Sequence, residues 1–301
     1  MDFKNLKRNS DFDKIKKQIE STQSGGNKED SRFWSPTVDK AGNGMAIIRW
    51  LPTALADGDG GIPWVCTWKH GFQEMGGWLI EDCPTTYESD CPVCESNTIL
   101  WNSGLESNKD IARKRKRKLT YISNIYVVSD PSFPENDGQI KLFKYGAKIY
   151  VKLQEAMNPP FPDKQPINPF DLWKGANFKL KMRQVDGYRN YDLSEFESPA
   201  PLGDDAKLES IWRSEYSLKE FTDPTKFKSY KDIKTRLDKV LGTSGGTDTA
   251  NDVQDNINHF RNTGQTDMNE TNVDKKFSQT SMSSDDDMDY FKSLANDEVP
   301  F

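Results

Sequence analysis

Alternating apolar and polar positions predict a chain built mainly from β-strands. The clearest example is residues 120–146, where two stretches rich in Val, Ile, Tyr and Phe flank a polar loop. That loop ends in Asp137-Gly138, a pair that readily adopts the positive φ angles of tight turns. We therefore predict two strands joined by a loop in this part of the chain.

A second alternation combines apolar and cationic side chains. Apolar residues at 178, 180 and 182 alternate with Lys179, Lys181 and Arg183. Because successive side chains of a strand point to opposite faces, a strand here would bury three apolar side chains and present three cations in a row. Cys66 alternates with tryptophans at 64 and 68 in the same way, which indicates a buried strand residue.

Helical periodicity occurs near both ends of the chain. In residues 229–242 it places Ile233, Leu237, Val240 and Leu241 on one face, and Gly242 is expected to end the helix. A shorter helical pattern lies in residues 1–22, which are too few to fold alone.

Breaks in composition divide the chain into four parts. Residues 1–22 form a basic arm, residues 23–31 a polar Gly/Ser linker, and residues 32–241 a body that contains all eight tryptophans. Residues 242–301 are polar and poor in aromatic residues until the last dozen positions, so we predict that they are disordered.

Charge is segregated along the same boundaries. Residues 242–301 hold twelve acidic and four basic side chains, a net charge of −8, whereas the whole chain carries −6 and the first 241 residues therefore carry +2. No apolar run is long enough for a membrane span, and the N-terminus does not look like a secretory signal. We expect a soluble, intracellular protein, in which disulfides are rare and clustered cysteines favour a metal or catalysis.

One histidine and three cysteines have the spacing of a zinc site. His70 is followed by Cys83, Cys91 and Cys94, and the last two are separated by two residues, as in a zinc knuckle. Reduced buried cysteines with a surface histidine, or a redox pair, are the alternatives. A catalytic zinc would need an open ligand position and a general base. His70 is followed by Gly71 and Phe72 and not by the glutamate of zinc deaminases, so we favour a structural zinc that organises residues 64–100.

Basic and aromatic residues are interleaved at several places in the body. Six consecutive cations, Arg113, Lys114, Arg115, Lys116, Arg117 and Lys118, would repel one another and favour an anionic partner, although a solvated loop or a sorting signal is an alternative. Strands that carry cations for phosphates and rings for bases are typical of a groove for single-stranded nucleic acid. Further candidates are Tyr121, Phe143, Lys144, Lys148, Tyr150, Lys152, Lys179, Lys181, Arg183, Tyr188 and Tyr191.

The chain resembles the single-stranded DNA-binding, helix-destabilising proteins of T-even-type tailed bacteriophages, the gene-thirty-two type. The motifs that carry the resemblance are AGNGMAIIRWLP at 41–52, HGF at 70–72 with the later CPVC, the block from Lys116 to Gly138, and GANFKLKMRQVDGYRNYD at 175–192. The resemblance implies a mainly β protein with some α, built on an oligonucleotide-binding (OB) barrel with an inserted zinc subdomain. It implies zinc on His70, Cys83, Cys91 and Cys94, and a DNA cleft that includes Arg49, Tyr87, Trp101, Arg115, Tyr121, Phe143, Tyr188 and Tyr191.

The same resemblance implies roles for the two ends of the chain. The arm, with Lys7, Arg8 and Ser10, would mediate cooperative self-association along DNA. The acidic tail would recruit replication and recombination proteins such as a polymerase, a helicase loader, a primase or a recombinase, and its last residues are Asp297, Glu298, Val299, Pro300 and Phe301.

The sequence therefore predicts a non-enzymatic protein that coats single strands in the cytoplasm of an infected bacterium, without contact to a membrane. A zinc-dependent nuclease or deaminase is the main alternative, and a zinc-stapled protein scaffold is a second. The chain has one other histidine, His259, in the predicted tail, which is few for a catalytic metal enzyme.

Overall fold

The computed structural model describes residues 30–58 and 60–243, and its centre is a large sheet of nine linked strands. The predicted arm and nearly all of the predicted linker and tail lie outside the described residues. The strands are β1 (Phe33–Trp34), β2 (Gly44–Trp50), β3 (Val65–Glu74), β4 (Gly77–Asp82), β5 (Lys118–Ser129), β6 (Ile140–Tyr145), β7 (Phe178–Val185), β8 (Tyr188–Asn190) and β9 (Glu195–Phe196). The helices in the described part are α1 (Pro92–Trp101), α2 (Glu106–Lys114), α3 (Ala147–Met157), α4 (Asp205–Arg213) and α5 (Tyr230–Leu241).

The twelve-residue strand β5 is the hub of the sheet. Its first half pairs with β3 and its second half with β2, while β6 runs antiparallel along it. This confirms the two strands predicted in residues 120–146, and Gly138 has the positive φ expected of the turn, +80°. The strand order is β1-β6-β5-β2-β7-β8, with β4 on β3 and β9 on β7.

The sheet is open, so the closed OB barrel that we expected is not formed by these strand pairings. The chain of paired strands ends at β1 on one side and at β8 on the other, and no described pairing joins the two. The mixed β and α composition agrees with the expectation, and the closed barrel does not.

Trp50 lies at the centre of the main core. Its ring packs edge-on against Tyr145 at 4.9 Å and also contacts Phe143, Phe170 and Phe178. Strand β7 supplies part of this core in the predicted way, because Phe178, Leu180 and Met182 are buried while the intervening cations are not.

The second strand predicted within residues 120–146 ends at Tyr145, and helix α3, which was not predicted, begins at Ala147. Gly146 separates the two elements in an extended conformation, φ −96° and ψ −176°. Lys148 and Lys152 therefore lie one helical turn apart on α3 and not in a row along β6.

Helix α5 matches its prediction and packs on the β3–β4 hairpin. Ser229 caps its N-terminus, Gly242 ends it with φ +74°, and Ile233, Leu237 and Val240 are buried. The Gly76 N–H donates to the Val240 carbonyl at 2.9 Å. A Cβ at Gly76 would lie 2.1 Å from the Lys239 carbonyl oxygen, so only glycine allows this close approach.

Candidate metal centre and nucleic-acid interface

Three segments bring the four predicted metal ligands together. His70 lies on β3, Cys83 follows β4, Cys91 is the residue before α1, and Cys94 lies in the first turn of α1. One ligand atom from each of the four lies within 4.8 Å of all the others. Pro92 begins α1 where its missing N–H costs no helical hydrogen bond, which fixes the two cysteines on either side of it.

The distances between the ligand atoms suit a tetrahedral ion. Bonds of about 2.0 Å to nitrogen and 2.3 Å to sulfur give edges of about 3.5 Å between N and S and about 3.8 Å between S and S. His70 Nε2 lies 3.5 Å from both the Cys91 and the Cys94 sulfur, and the Cys83 and Cys94 sulfurs are 3.6 Å apart. The donor set therefore fits a metal ion of this geometry.

Neighbouring groups hold the ligands in place. The Arg115 carbonyl lies 3.3 Å from His70 Nδ1 and also accepts from the Asn97 side chain at 2.9 Å. When Nε2 binds a metal, Nδ1 carries the proton and donates it to this carbonyl. The Thr85 hydroxyl lies 3.1 Å from the Cys83 sulfur. Asn97 and Thr85 were not predicted, because neither has a distinctive sequence signature.

The sulfurs are too close to ionise together without a cation. Hydrogen bonds from Cys91 and Cys94 lower the pKa of Cys83, whereas hydrogen bonding to Cys83 and Cys91 raises the pKa of Cys94. Burial opposes a charge on His70, but its bonds with Cys83 and Cys91 raise its pKa to about 9. A divalent cation would replace these shared protons and offset two of the three thiolate charges.

A separate apolar cluster surrounds the metal ligands. Phe72, Leu79 and Val93 pack there with Cys83 and Cys91, and α5 contributes Ile233, Leu237 and Val240. The apolar cluster around the candidate ligands thus includes a helix from about 140 residues further along the chain. With four protein ligands a tetrahedral shell is complete, which favours a structural over a catalytic metal.

Arginines and lysines of the basic run, residues 113–118, have different environments. Arg113 pairs with Glu106 and Asp110, Arg115 pairs with Glu74 at 2.9 Å, and Arg117 lies over the Trp68 ring at 4.2 Å. Arg113 and Arg115 also lie over the rings of Trp101 and Phe72. Lys114 and Lys116 are exposed, and Lys118 is the first residue of β5. The three arginines of the run therefore contact acids or rings, and Lys114 and Lys116 are the members classed as exposed together with Arg113.

A stack of rings begins three residues after Lys118. Tyr121 stacks on Tyr150 of α3, with ring centroids 4.1 Å apart, and also on Tyr145 at 5.6 Å. Tyr150 also contacts Trp64, and these two rings are half-buried whereas Tyr121 is buried. Tyr150 and Trp64 therefore form the accessible end of the stack.

A groove lies between α3 and the segment that follows β7. It has a volume of about 290 Å³ and is lined by Ala147, Lys148, Val151, Lys152, Asn190, Tyr191 and Asp192. The ammonium groups of Lys148 and Lys152 lie 3.5 Å from the Arg189 carbonyl and 3.3 Å from the Asp192 carbonyl. Tyr191 supplies an aromatic wall and the two lysines supply positive charge.

The predicted row of cations on β7 exists, but each member faces an acid. Lys179 pairs with Glu197 at 3.0 Å and Lys181 with Glu195 at 2.7 Å. Arg183 makes two bonds to the Asp192 carboxylate. These bonds lower the pKa of all three acids.

The remaining predicted cleft residues are divided between core and surface. Arg49 is 1 % exposed and donates to the carbonyls of Asp171 at 2.8 Å and Ala200 at 3.0 Å. Phe143 is also buried, so neither side chain can reach a ligand in this conformation. Tyr87, Trp101, Lys144 and Tyr188 are half-buried or exposed, and Lys144 lies over the Phe33 ring at 4.0 Å. Lys7, Arg8, Ser10 and residues 297–301 lie outside the described residues.

Comparison with known proteins gives a consistent set of relatives. A family profile described as "gp32 DNA binding protein like" matches residues 42–241. The chain is similar to the single-stranded DNA-binding protein of Enterobacteria phage T2, with 36 % identity over 75 % of this chain and 76 % of that protein. It is also similar to the single-stranded DNA-binding protein of Enterobacteria phage T4, with 37 % identity over 73 % of each chain. In the part of the chain that the structure describes, no helix is long and apolar enough to cross a bilayer.

Proposed function

Because the chain belongs to the gp32 DNA binding protein like family, we propose that it is a non-enzymatic protein that binds single-stranded DNA without reading its sequence. The observation that carries the proposal is a set of cations and rings: the exposed Lys114 and Lys116, the stack of Tyr121 on Tyr150, and the groove at Lys148 and Lys152. Cations that contact phosphates and rings that stack on bases bind any sequence, since neither contact depends on base identity.

The cations and rings of this set have separate tasks. Lys114, Lys116, Lys148 and Lys152 contact phosphates, and each phosphate contact releases counterions. Tyr150, Trp64 and Tyr191 offer ring faces to bases, and each stacked base contributes about 1–3 kcal/mol. Because the protein binds the open strand and not the duplex, it melts hairpins by mass action.

Arg49 and Phe143 have no direct DNA contact in this proposal. Arg49 instead ties the Asp171 and Ala200 segments to β2, and Phe143 fills the core beside Trp50. Lys179, Lys181 and Arg183 join the interface only where DNA phosphates displace their acidic partners.

We assign a zinc ion to His70, Cys83, Cys91 and Cys94, with a structural role. When bound, the ion supplies a cross-link among β3, the end of β4 and α1. The Nδ1 contact of His70 with the Arg115 carbonyl then fixes the middle of the basic run. A zinc-dependent nuclease or deaminase is disfavoured because all four positions of the shell are taken by protein ligands.

The ends of the chain supply the remaining proposed roles. The basic arm, with Lys7, Arg8 and Ser10, contacts the neighbouring copy along a strand. The acidic tail, including residues 297–301, recruits replication and recombination proteins such as a polymerase, a helicase loader, a primase or a recombinase. Since the relatives are phage proteins, we place the activity in the cytoplasm of an infected bacterium.

A titration of labelled poly(dT) at several salt concentrations tests the proposal. We expect tight binding whose logarithm falls linearly with the logarithm of salt concentration, and little difference between poly(dT) and mixed sequences. The variant Lys148→Gln with Lys152→Gln should bind more weakly and with a shallower salt slope. The control pair Lys219→Gln with Lys231→Gln removes the same charge from exposed positions elsewhere. Equal binding by both double variants would contradict the proposed interface.

A further inference from the structure

Residues 115–117 connect α2 to β5, and this connection forms the middle of the basic run. Lys114 is the last residue of α2, and β5 begins directly after the connection. Lys114 and Lys116 are exposed, whereas Arg115 and Arg117 are partly buried. Exposed lysines and partly buried arginines therefore alternate from the end of α2 to the start of β5.

The main chain of the connection is tied to the metal centre at Arg115. This residue ends α2, and a carbonyl at the end of a helix has no partner within that helix. The Arg115 carbonyl accepts from Asn97 Nδ2 at 2.9 Å and lies 3.3 Å from His70 Nδ1. Asn97 serves as a donor only, because its Oδ1 is buried and has no hydrogen-bond partner within the described residues. The Asn97 bond therefore fixes the direction in which the chain leaves α2.

A side chain of the connection is tied to the same centre two residues later. The Arg117 guanidinium donates to the Thr85 hydroxyl, and this hydroxyl lies 3.1 Å from the Cys83 sulfur. Since the hydroxyl oxygen accepts from Arg117, its hydrogen is available to the sulfur. When a divalent cation is bound, the three thiolates leave one negative charge on the cluster, and Arg117 lies one hydroxyl away from it.

We propose that Asn97 and Thr85 are positioning residues for DNA binding, which hold the connection so that Lys114 and Lys116 project towards phosphates. Neither positioning residue contacts DNA, because each acts through the arginine that it bonds. This inference rests on the proposed phosphate contacts of the two lysines. It gives the contacts around the metal centre a second task, which is to set the geometry of the basic run.

Preorganisation is the physical reason for this task. Without the two bonds, residues 115–117 can adopt several conformations in the free protein, and DNA must then select the competent one. The apparent affinity falls in proportion to the fraction of molecules in that conformation. Lysines that do not reach phosphates also release no counterions, so the salt dependence becomes weaker.

Near-isosteric variants of the full-length, zinc-loaded protein test this inference. Asn97→Leu and Thr85→Val each remove one polar contact with little change in side-chain size. We expect each to bind oligo(dT) with a shallower salt slope, by up to about 1.4 for the two together, the value of two phosphate contacts. Zinc content by elemental analysis and the melting temperature should change little. Thr85→Ser keeps the hydroxyl and should retain the parent's slope.

A double-mutant cycle separates positioning from a merely structural role. The Asn97→Leu/Thr85→Val pair is added to the variant that carries Lys114→Gln and Lys116→Gln. It should then change neither affinity nor slope further, since the lysines that it would misplace are already absent. A structural role independent of these lysines would give additive losses instead.

Thr98→Val is the control, because its hydroxyl bonds the Cys94 carbonyl within α1 and does not contact the basic run. Additive losses in the cycle would overturn the inference. So would the parent's slope in the Asn97/Thr85 variant, an equal loss in Thr98→Val, or loss of zinc from both single variants. The parent's slope in the lysine variant itself would instead refute the proposed phosphate contacts, and the inference with them.

Discussion

Tyr121 and Tyr150 stack face to face, with ring centroids 4.1 Å apart and planes 8° from parallel. Tyr121 is on β5, three residues after the basic run, and Tyr150 is on α3 between Lys148 and Lys152. This stack therefore joins the two cationic regions of the proposed DNA interface. It also gives the two rings different roles, because Tyr121 is buried and Tyr150 is not.

We predict that Tyr150→Ala weakens binding to a short oligo(dT) by about 1–3 kcal/mol, the value of one stacked base. Its salt slope should stay nearly unchanged, since stacking releases no counterions. Tyr150→Phe keeps the ring and should bind almost normally. Titrations at three salt concentrations measure both quantities, and a slope that changes with Tyr150→Ala would contradict the stacking role.

The basic run offers a prediction that separates its lysines from its arginines. Lys114→Gln with Lys116→Gln should make the salt slope shallower by about 1.4, because each phosphate contact on a single strand contributes about 0.7. Thermal stability should hardly change, since both side chains are exposed. Arg115→Gln should instead lower the melting temperature, because it leaves Glu74 unpaired. If the Arg115→Gln variant had the shallower salt slope and the lysine variant had the lower melting temperature, the arginines would be the DNA contacts.

The metal centre is tested by a matched pair of cysteine variants. Cys91→Ser should abolish stoichiometric zinc binding, measured by elemental analysis, and should lower the melting temperature because metal binding contributes to folding. Cys66→Ser is the control, since Cys66 is half-buried against the main core and is not among the clustered ligands. Equal zinc content in both variants would rule out the assigned ligands.

Glu215 makes stability depend on pH. Burial, together with the nearby Asp57, raises the pKa of this carboxyl to about 9, and neither of its oxygens has a hydrogen-bond partner. The folded state therefore holds a proton that the unfolded state loses near pH 4.5. The resulting stability is present at acidic pH and is lost as pH rises towards 9.

Replacing this carboxyl with an uncharged amide should remove that loss. We expect Glu215→Gln to be more stable than the parent at pH 8, on the order of a few kcal/mol, and to differ much less at pH 5. The exposed Glu209→Gln, which breaks only a surface pair with Arg213, is the control. Denaturant unfolding at both pH values measures the effect. A Glu215→Gln variant with the parent's pH dependence would show that Glu215 is ionised in the folded protein.

Local signals in the sequence predicted the parts of this structure that depend on neighbouring residues. Ligand spacing identified His70 and the three cysteines, turn chemistry identified the loop at Gly138, and helical periodicity identified α5. Helix α3 was not predicted, although its buried apolar residues Ile149 and Leu153 have helical spacing.

Features that depend on distant residues could not be predicted in the same way. Arg49 looks like a surface cation in the sequence, but its burial depends on carbonyls more than 120 residues away. Packing of α5 on the metal subdomain is equally remote in sequence. The sequence did contain one clue to the ion pairs of β7. Glu195 and Glu197 are two residues apart, so they share one face of an extended chain, just as the cations of β7 share one face of that strand.

Those acids provide a direct test of whether β7 lines the DNA groove. Lys179 and Lys181 are each neutralised by one of them, at 3.0 and 2.7 Å. If the row faces DNA, Glu195→Gln with Glu197→Gln should free both lysines for phosphates. Affinity for oligo(dT) should then rise and the salt slope should steepen by up to about 1.4.

The control for this prediction removes two acids that have no cation of β7 as a partner, with Glu155→Gln and Glu209→Gln. It produces the same change in net charge, so it accounts for long-range attraction of DNA by the whole protein. Stability should change little, since exposed ion pairs contribute about 0–1 kcal/mol. If the Glu195/Glu197 variant binds like the control variant, the β7 row lies outside the groove, and its ion pairs serve only to hold β9 against β7.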